Sequence, residues 1–126
     1  MLVDSHCHLD FPDFADDLDA IVARAAEAGV GRMVTISTRV RRQAQLLAIV
    51  DRYPNVYCSV GTHPHNADEE DGIGADELVA LTKHPKVIAL GEAGLDYFYE
   101  HGSHEAQARG FRAHIAAARV TGLPLV

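Results

Sequence analysis

Short apolar segments alternate along the chain with segments of helical periodicity. The apolar or β-branched runs are strand candidates, and they lie at 2–3, 33–36, 56–60, 87–90 and 123–126. Strand candidates begin roughly every 25 to 35 residues, which is typical of β-α-β units with right-handed crossovers. The pattern therefore predicts an α/β fold built on a parallel sheet.

Four helices are predicted between these strands, at about 16–28, 41–52, 76–83 and 104–121. Gly29 is the expected stop of the first helix, and Tyr53-Pro54 ends the second. The fourth helix follows Ser103, a residue type that favours helix N-caps, and ends before Gly122. Helical spacing places Ala108, Phe111, Ile115 and Ala118 along one stripe of this helix.

A parallel sheet of this kind fits either an open doubly wound sheet or a closed (β/α)8 barrel of about 250 residues. The length of 126 residues favours the open sheet. The polar residues favour the barrel, because titratable side chains follow one strand candidate after another, and barrel enzymes build their active sites at these strand ends. No linker rich in Pro, Gly or Ser interrupts the alternation, so residues 1–126 are expected to form one domain or part of one.

Composition narrows the functional classes. No apolar run reaches the ~20 residues that a membrane span needs, and the first residues lack a signal-peptide pattern, so the expectation is a cytoplasmic protein without membrane contact. Two cysteines, Cys7 and Cys58, are too few for a disulfide framework. The net charge of -7 argues against general electrostatic affinity for nucleic acid. A phosphate substrate would therefore need a metal ion or local arginine.

The first strand candidate ends in a histidine pair. His6 and His8 are separated by one residue, so an extended backbone points both imidazoles to the same side. Two imidazole nitrogens can converge there on one divalent cation, and Asp4 or Ser5 could orient the rings. The alternative is that both are surface histidines of a loop.

Two later strand candidates also end in polar residues. Glu92 follows the fourth strand candidate, where a carboxylate could bridge two metal ions or position a water nucleophile. Alternatively, it could merely cap a helix or form a loop salt bridge. His63 and His65 follow the third and flank a proline that stiffens the loop. They could contact a substrate phosphate or transfer a proton, or be merely exposed. Asp96 and Tyr97 are predicted to support the site or the local structure.

Other chemistries find little support. The chain has no nucleophilic serine motif, no phosphate-binding glycine loop and no paired-cysteine metal motif. Three arginines follow the second strand candidate, Arg39, Arg41 and Arg42, and are interpreted as a solvated helix start rather than a phosphate site. The remaining histidines, His84, His101, His104 and His114, are predicted at the surface or in packing.

Three motifs together resemble the TatD family of metal-dependent deoxyribonucleases, which belong to the amidohydrolase-like barrels. They are Asp-Ser-His-Cys-His-Leu-Asp at 4–10, Gly-Thr-His-Pro-His at 61–65 and Gly-Glu-Ala-Gly-Leu-Asp-Tyr at 91–97. The resemblance spans nearly the whole chain. It implies a TIM-type (β/α)8 barrel, of which residues 1–126 supply about the first half as a single incomplete hydrolase domain.

The resemblance also implies a function and a ligand set. His6 and His8 would bind one divalent ion, Glu92 would bridge it to a second, and His63 would lie near the scissile phosphate. Two ions per intact site are expected, Mg, Mn or Zn, and Glu92 and His63 would be the catalytic residues. The family's further ligands, two histidines and an aspartate, lie beyond the segment that resembles 122–126, so the chain is expected to be truncated.

The expected reaction of the intact protein is hydrolysis of phosphodiester bonds in DNA, as an exonuclease acting on single strands. One alternative is hydrolysis of another ester by the same scaffold, such as D-aminoacyl-tRNA or a small phosphate ester. Another is a metal-binding fragment without catalytic activity. A half barrel would also expose strand edges and an apolar face, which predicts self-association.

Overall fold

The first four apolar runs form the strands of a parallel sheet in a computed structural model that describes residues 1–126. The strands follow one another in the order β1 (Leu2–Cys7), β2 (Val30–Thr35), β3 (Val56–Val60) and β4 (Val87–Leu90). The helices between and after them are α1 (Leu18–Glu27), α2 (Gln43–Arg52), α3 (Ala75–Leu81) and α4 (His104–Thr121). The α/β architecture with parallel pairing is confirmed.

The fifth apolar run begins a further strand. Leu125 forms a parallel bridge with Leu90. The backbone N–H of Leu90 donates to Pro124 at 2.9 Å, and the N–H of Val126 donates to Leu90 at 2.8 Å. The sheet therefore continues past β4 in the direction that the sequence pattern predicts.

Helix boundaries differ from the predicted ones for local reasons. A 3₁₀ turn at Val40–Arg42 precedes α2. The Glu70 carboxylate accepts the backbone N–H groups of Val40 at 2.7 Å and of Arg41 at 2.8 Å, so a distant side chain fixes this turn. The Oγ of Ser103 accepts from the N–H of Ala106 at 3.3 Å, which confirms the predicted N-cap of α4.

The apolar stripe of α4 is not its most buried face. Its four residues are only half-buried, and α4 instead buries Ala106, Gln107, His114 and Ala117. Polar side chains lie on the inner face because loops, rather than apolar strands, cover much of it. Gln107 donates to the carbonyls of Asp96 and Gly102, and His114 accepts from the N–H of Thr62. Hydrogen bonding to loop backbone, which apolar periodicity does not report, decides the orientation of this helix.

The core lies between the helices and the sheet from β2 to β4. Its fully buried aliphatic side chains come from successive elements and include Leu46, Val50, Val56, Val60, Leu78 and Leu90. Strand β1 differs, since Leu2 and Val3 are 63% and 55% exposed. Parallel strands are normally covered on both faces, whereas β1 has exposed apolar side chains and pairs with β2 alone, so it is an unprotected edge strand. None of the helices has the length and apolar content required to cross a bilayer.

Candidate metal centre

The two histidines of the first strand meet a carboxylate from the fourth. His6 ends the exposed part of β1, and His8 follows the strand directly. Their Nε2 atoms lie 3.3 Å and 3.7 Å from Oε2 of Glu92. The ligand atoms of the three residues all lie within 4.8 Å of one another. The structure thus brings together the three residues that the sequence names as metal ligands.

Glu92 is held by the backbone at the end of β4. Its N–H donates to the carbonyl of Ser37 at 2.9 Å. The preceding residue, Gly91, has a φ of +140°, and a Cβ at this position would lie 2.3 Å from the carbonyl oxygen of Val126. Only glycine fits both the dihedral and the close approach. The glycine before Glu92 is therefore a requirement of the site's geometry.

Two buried serines join the strand ends beneath this centre. The Oγ of Ser59 accepts from the N–H of Ser37 at 2.9 Å and donates to the carbonyl of Gly91 at 2.7 Å. The Oγ of Ser37 donates to the carbonyl of Gly61 at 2.7 Å. Both serines are essentially inaccessible to solvent. Because every hydroxyl is paired, this network fixes the positions of the loops that carry Glu92 and His63.

The hydrogen bond of His8 determines which ring nitrogen faces the site. Its Nδ1 lies 3.1 Å from the carbonyl oxygen of Ile36. A carbonyl can only accept, so Nδ1 carries the proton and Nε2 presents its lone pair toward Glu92. Asp4, which together with Ser5 was a candidate for orienting a ring, accepts the backbone N–H of His6 through Oδ1 at 3.1 Å. Phe11 stacks on the His8 ring at 4.6 Å.

His63 has the opposite arrangement. Its Nδ1 accepts from the N–H of His65 at 3.0 Å, so the neutral ring carries its proton on Nε2, which lies 3.5 Å from Oε1 of Glu92. Burial lowers the pKa of His63, and the negative charge of Glu92 opposes this effect only in part. A neutral ring with Nε2–H toward the centre is a hydrogen-bond donor rather than a metal ligand.

His65 and Asp96 lie beside these residues. The Nε2 of His65 lies 2.7 Å from Oδ2 of Asp96, and this hydrogen bond lowers the pKa of the Asp96 carboxyl. The His65 ring lies 4.4 Å from the His63 ring. His65 therefore packs against His63 and is anchored by Asp96, one step further from the three converging donors.

A cleft of about 280 Å³ opens above the centre. The cleft is lined by Glu92 with His8, His63 and His65, and by Phe11, Thr38, Arg39 and Asn66. Arg39, which the sequence interpretation left out of the site, is on this wall, but its guanidinium pairs with Glu69 at 2.9 Å and 3.2 Å. A larger cavity, about 500 Å³, lies between the loop before α3 and helix α4 and contains none of the converging donors. The smaller cleft is the candidate site because His8, His63 and Glu92 line it.

The donor set fits a divalent cation. Two imidazole nitrogens and a carboxylate oxygen are ligands that zinc and manganese accept, and His8 already has the tautomer that coordination requires. Sequence reasoning missed the supporting Ser37, Ser59 and Ile36 carbonyl. The one available signal was a serine inside an apolar strand, as in Val-Tyr-Cys-Ser-Val at 56–60.

Comparison with known proteins identifies the family of the chain. The family model described as "TatD related DNase" matches residues 3–126. The chain belongs to this family. A curated TatD-family relative, the uncharacterized metal-dependent hydrolase YjjV of Escherichia coli K12, is 35% identical over 126 residues. The 3'-5' ssDNA/RNA exonuclease TatD of Salmonella typhimurium is 33% identical over 124 residues.

Solved structures of TatD homologues show the same fold. The crystal structure of YjjV superposes with a TM-score of 0.89 and covers 98% of this chain and 49% of its own. A TatD family hydrolase from Entamoeba histolytica, 24% identical, superposes with a TM-score of 0.86 and supports the fold alone. The chain spans about half the length of the curated relatives it matches. The prediction of the first half of a TIM-type barrel is confirmed.

Proposed function

We propose that residues 1–126 form an incomplete hydrolase domain that supplies one corner of the active site of a deoxyribonuclease. The reaction would be hydrolysis of phosphodiester bonds in DNA, as an exonuclease on single strands. The observation that carries the proposal is the convergence of His6, His8 and Glu92, with His63 on the second carboxylate oxygen. The Salmonella relative, named a 3'-5' ssDNA/RNA exonuclease, supports the substrate class.

Each residue has a distinct part in the proposed site. His6, His8 and Glu92 would hold one cation, since the Nε2 atoms of both histidines lie close to Oε2 of Glu92, and the other carboxylate oxygen, Oε1, faces His63. Bound divalent cations, two in an intact site and Mg, Mn or Zn in identity, would supply an activated water and neutralise phosphate charge. His63 donates its Nε2–H to a phosphate oxygen. Burial lowers the pKa of this ring and so favours the neutral form, in which Nδ1 accepts from His65 and Nε2 carries the donated hydrogen.

Two alternatives use the same residues. The scaffold could hydrolyse another ester, such as D-aminoacyl-tRNA or a small phosphate ester, because the donor set does not select the leaving group. The chain alone could instead bind a metal ion without catalysis. Three protein donors and half the length of the relatives favour this second case for the isolated chain.

The metal site is tested by Glu92→Gln, with Glu27→Gln as the matched control on the exposed face of α1. Isothermal titration with Mn²⁺ is expected to show binding to the parent and the control, and affinity at least about 10-fold weaker for Glu92→Gln. Equal affinity in all three proteins would contradict the assignment of Glu92.

The reaction is tested on the chain fused to the segment that completes the barrel in YjjV. We expect Mn²⁺-dependent release of nucleotides from labelled single-stranded DNA, and loss of this activity in the Glu92→Gln fusion. A fusion that binds Mn²⁺ but cleaves only D-aminoacyl-tRNA or a small phosphate ester would favour the first alternative. A fusion inactive on all three substrates would favour a fragment that only binds metal.

Two further parts of the proposal concern the environment of the protein. The exposed β1 edge supports self-association through the open side of the half barrel. A cytoplasmic location is supported by the two cysteines, which are separate thiols. Burial raises the pKa of both thiols to about 12, so neither is a reactive thiolate.

A further inference from the structure

Three consecutive aromatic side chains project from the loop between β4 and α4. Tyr97, Phe98 and Tyr99 are 48%, 85% and 60% exposed, and Leu95 beside them is 49% exposed. Single exposed apolar side chains are ordinary, but a contiguous group of this size is characteristic of a binding surface. We call Phe98 and Tyr99 the aromatic pair; their rings lie 4.8 Å apart and are nearly perpendicular.

The backbone that carries the aromatic pair is held in place. Oδ1 of Asp96 accepts the N–H groups of Phe98 at 3.0 Å and of Tyr99 at 3.3 Å. The N–H of Asp96 donates to the buried Gln107 at 2.7 Å, and Gln107 donates back to the Asp96 carbonyl at 3.0 Å. The exposed rings therefore start from an ordered loop, which reduces the entropy that a ligand must remove on binding.

A continuous row of contacts joins the aromatic pair to the metal centre. The Tyr99 ring lies 5.5 Å from the His65 ring, and His65 lies 4.4 Å from His63. His63 in turn faces Glu92. A ligand held at the converging donors can therefore reach the aromatic pair along one surface.

The charges around the row from Tyr99 to His63 favour a ligand that is held by stacking on rings rather than by positive charge. The protein has a net charge of -7, and the one guanidinium on the cleft wall, that of Arg39, is paired with Glu69. Glu100 and Asp96 add negative charge next to the rings. Electrostatic attraction to a polyanion is weak here, so the flat faces of the rings are the main source of affinity beyond the metal centre.

We propose that Phe98 and Tyr99 stack on unpaired nucleobases of a strand whose phosphate lies at the metal centre, and so determine specificity for single-stranded polynucleotides. This inference rests on the proposed function. Every nucleobase offers an aromatic face, so stacking holds a strand without selecting its sequence. A duplex hides these faces, and a small phosphate ester has no base to offer.

The test compares a fluorescein-labelled oligothymidylate of roughly ten nucleotides with an abasic oligonucleotide of equal length, by fluorescence anisotropy in Ca²⁺ buffer. We expect the base-containing strand to bind more tightly. Phe98→Ala and Tyr99→Ala should weaken its binding about 5- to 150-fold and leave abasic binding nearly unchanged. Phe98→Tyr and Tyr99→Phe keep a ring and should retain affinity, and Val120→Ala removes an exposed apolar side chain from α4 as a further control.

Three outcomes would overturn the inference. If the base-containing strand binds Phe98→Ala and Tyr99→Ala as it binds the parent, the aromatic pair has no role, while the proposed nuclease function stands. If neither oligonucleotide binds the parent chain, the stacking inference fails, and the fusion assay decides the proposed nuclease function separately. If Phe98→Ala abolishes self-association but leaves oligonucleotide binding unchanged, the patch is a protein contact. Because Phe98 is exposed, circular dichroism should show the fold of its variants intact.

Discussion

At the scale of single residues, the hydrogen bonds of each histidine decide which ring nitrogen carries the proton. His8 donates through Nδ1 to Ile36 and presents a bare Nε2, whereas His63 accepts at Nδ1 and presents Nε2–H. His114 is 2% exposed, and its Nε2 accepts from the N–H of Thr62 at 3.1 Å. Its Nδ1 donates to the carbonyl of Gly110 at 2.6 Å. His114 therefore lies in packing, the second of the two placements that the sequence analysis offered for it.

The burial of His114 makes stability depend on pH. Burial lowers its pKa in the folded state below that of the unfolded chain, so the unfolded state binds the proton more tightly. The contribution of the neutral, buried His114 to the free energy of unfolding is therefore complete above the ordinary imidazole pKa. It is lost as the pH falls below that value. We expect the urea midpoint to drop between about pH 7 and pH 5.

The matched variant for this prediction is His114→Gln. It should lower the free energy of unfolding by about 1 to 3 kcal/mol at neutral pH, because buried hydrogen bonds are disturbed. The same variant should flatten the fall between pH 7 and pH 5. A variant whose urea midpoint falls as steeply as that of the parent would assign the pH dependence to other groups.

At the scale of elements, two glycines of α4 differ in whether the backbone requires them. The helix begins at the Ser103 cap and ends at Gly122, whose φ is +72° and whose N–H donates to the carbonyl of Ala118 at 2.8 Å. Gly110 lies inside the same helix, and a Cβ there would meet nothing within 4 Å. One glycine is required by its backbone conformation and the other is not.

Alanine at these two positions is expected to have opposite effects. Gly122→Ala forces a left-handed conformation on a residue with a Cβ and should destabilise the protein by about 1 to 2 kcal/mol. Gly110→Ala should stabilise it by about 0.5 to 1 kcal/mol, because alanine loses less conformational entropy in a helix. Urea unfolding of both variants at one pH measures the difference. Equal changes of the same sign would contradict this account.

At the scale of the whole molecule, the chain is the first half of a barrel with an open side. Strand β1 pairs with β2 on one edge only, and its residues up to His6 are exposed. The solved relatives are about twice as long, and this chain superposes on only about half of each. An exposed strand edge with apolar side chains favours association with another chain.

We expect the chain to self-associate through the β1 edge, and a lysine placed on β1 should suppress this association. Analytical ultracentrifugation of the parent is expected to show sedimentation that increases with protein concentration. Val3→Lys adds a charge on β1 and should shift the chain toward monomer. Val120→Lys adds the same charge on an equally apolar but remote surface position of α4 and should not. A parent that remains monomeric at all concentrations would refute the association.

The sequence by itself determined the elements and the types of donor. Apolar runs and helical periodicity are local properties, so they located four strands, four helices and the Ser103 cap to within a few residues. The His6-His8 pair and Glu92 were identifiable because they stand where apolar strands end. The family resemblance followed from three such strand ends taken together, and the match over residues 3–126 confirms it.

Only the tertiary structure decided how these residues meet. Strand register and the close approach at Gly91 bring Oε2 of Glu92 within 3.3 Å of His6, and no local pattern encodes that distance. The tautomer of His8 depends on the carbonyl of Ile36, which follows β2, and that of His63 depends on the N–H of His65. The buried hydroxyls of Ser37 and Ser59, and the inward face of α4, depend on loop backbone that packing alone places. Contacts between residues far apart in the chain arise from packing, and packing is a property of the folded molecule.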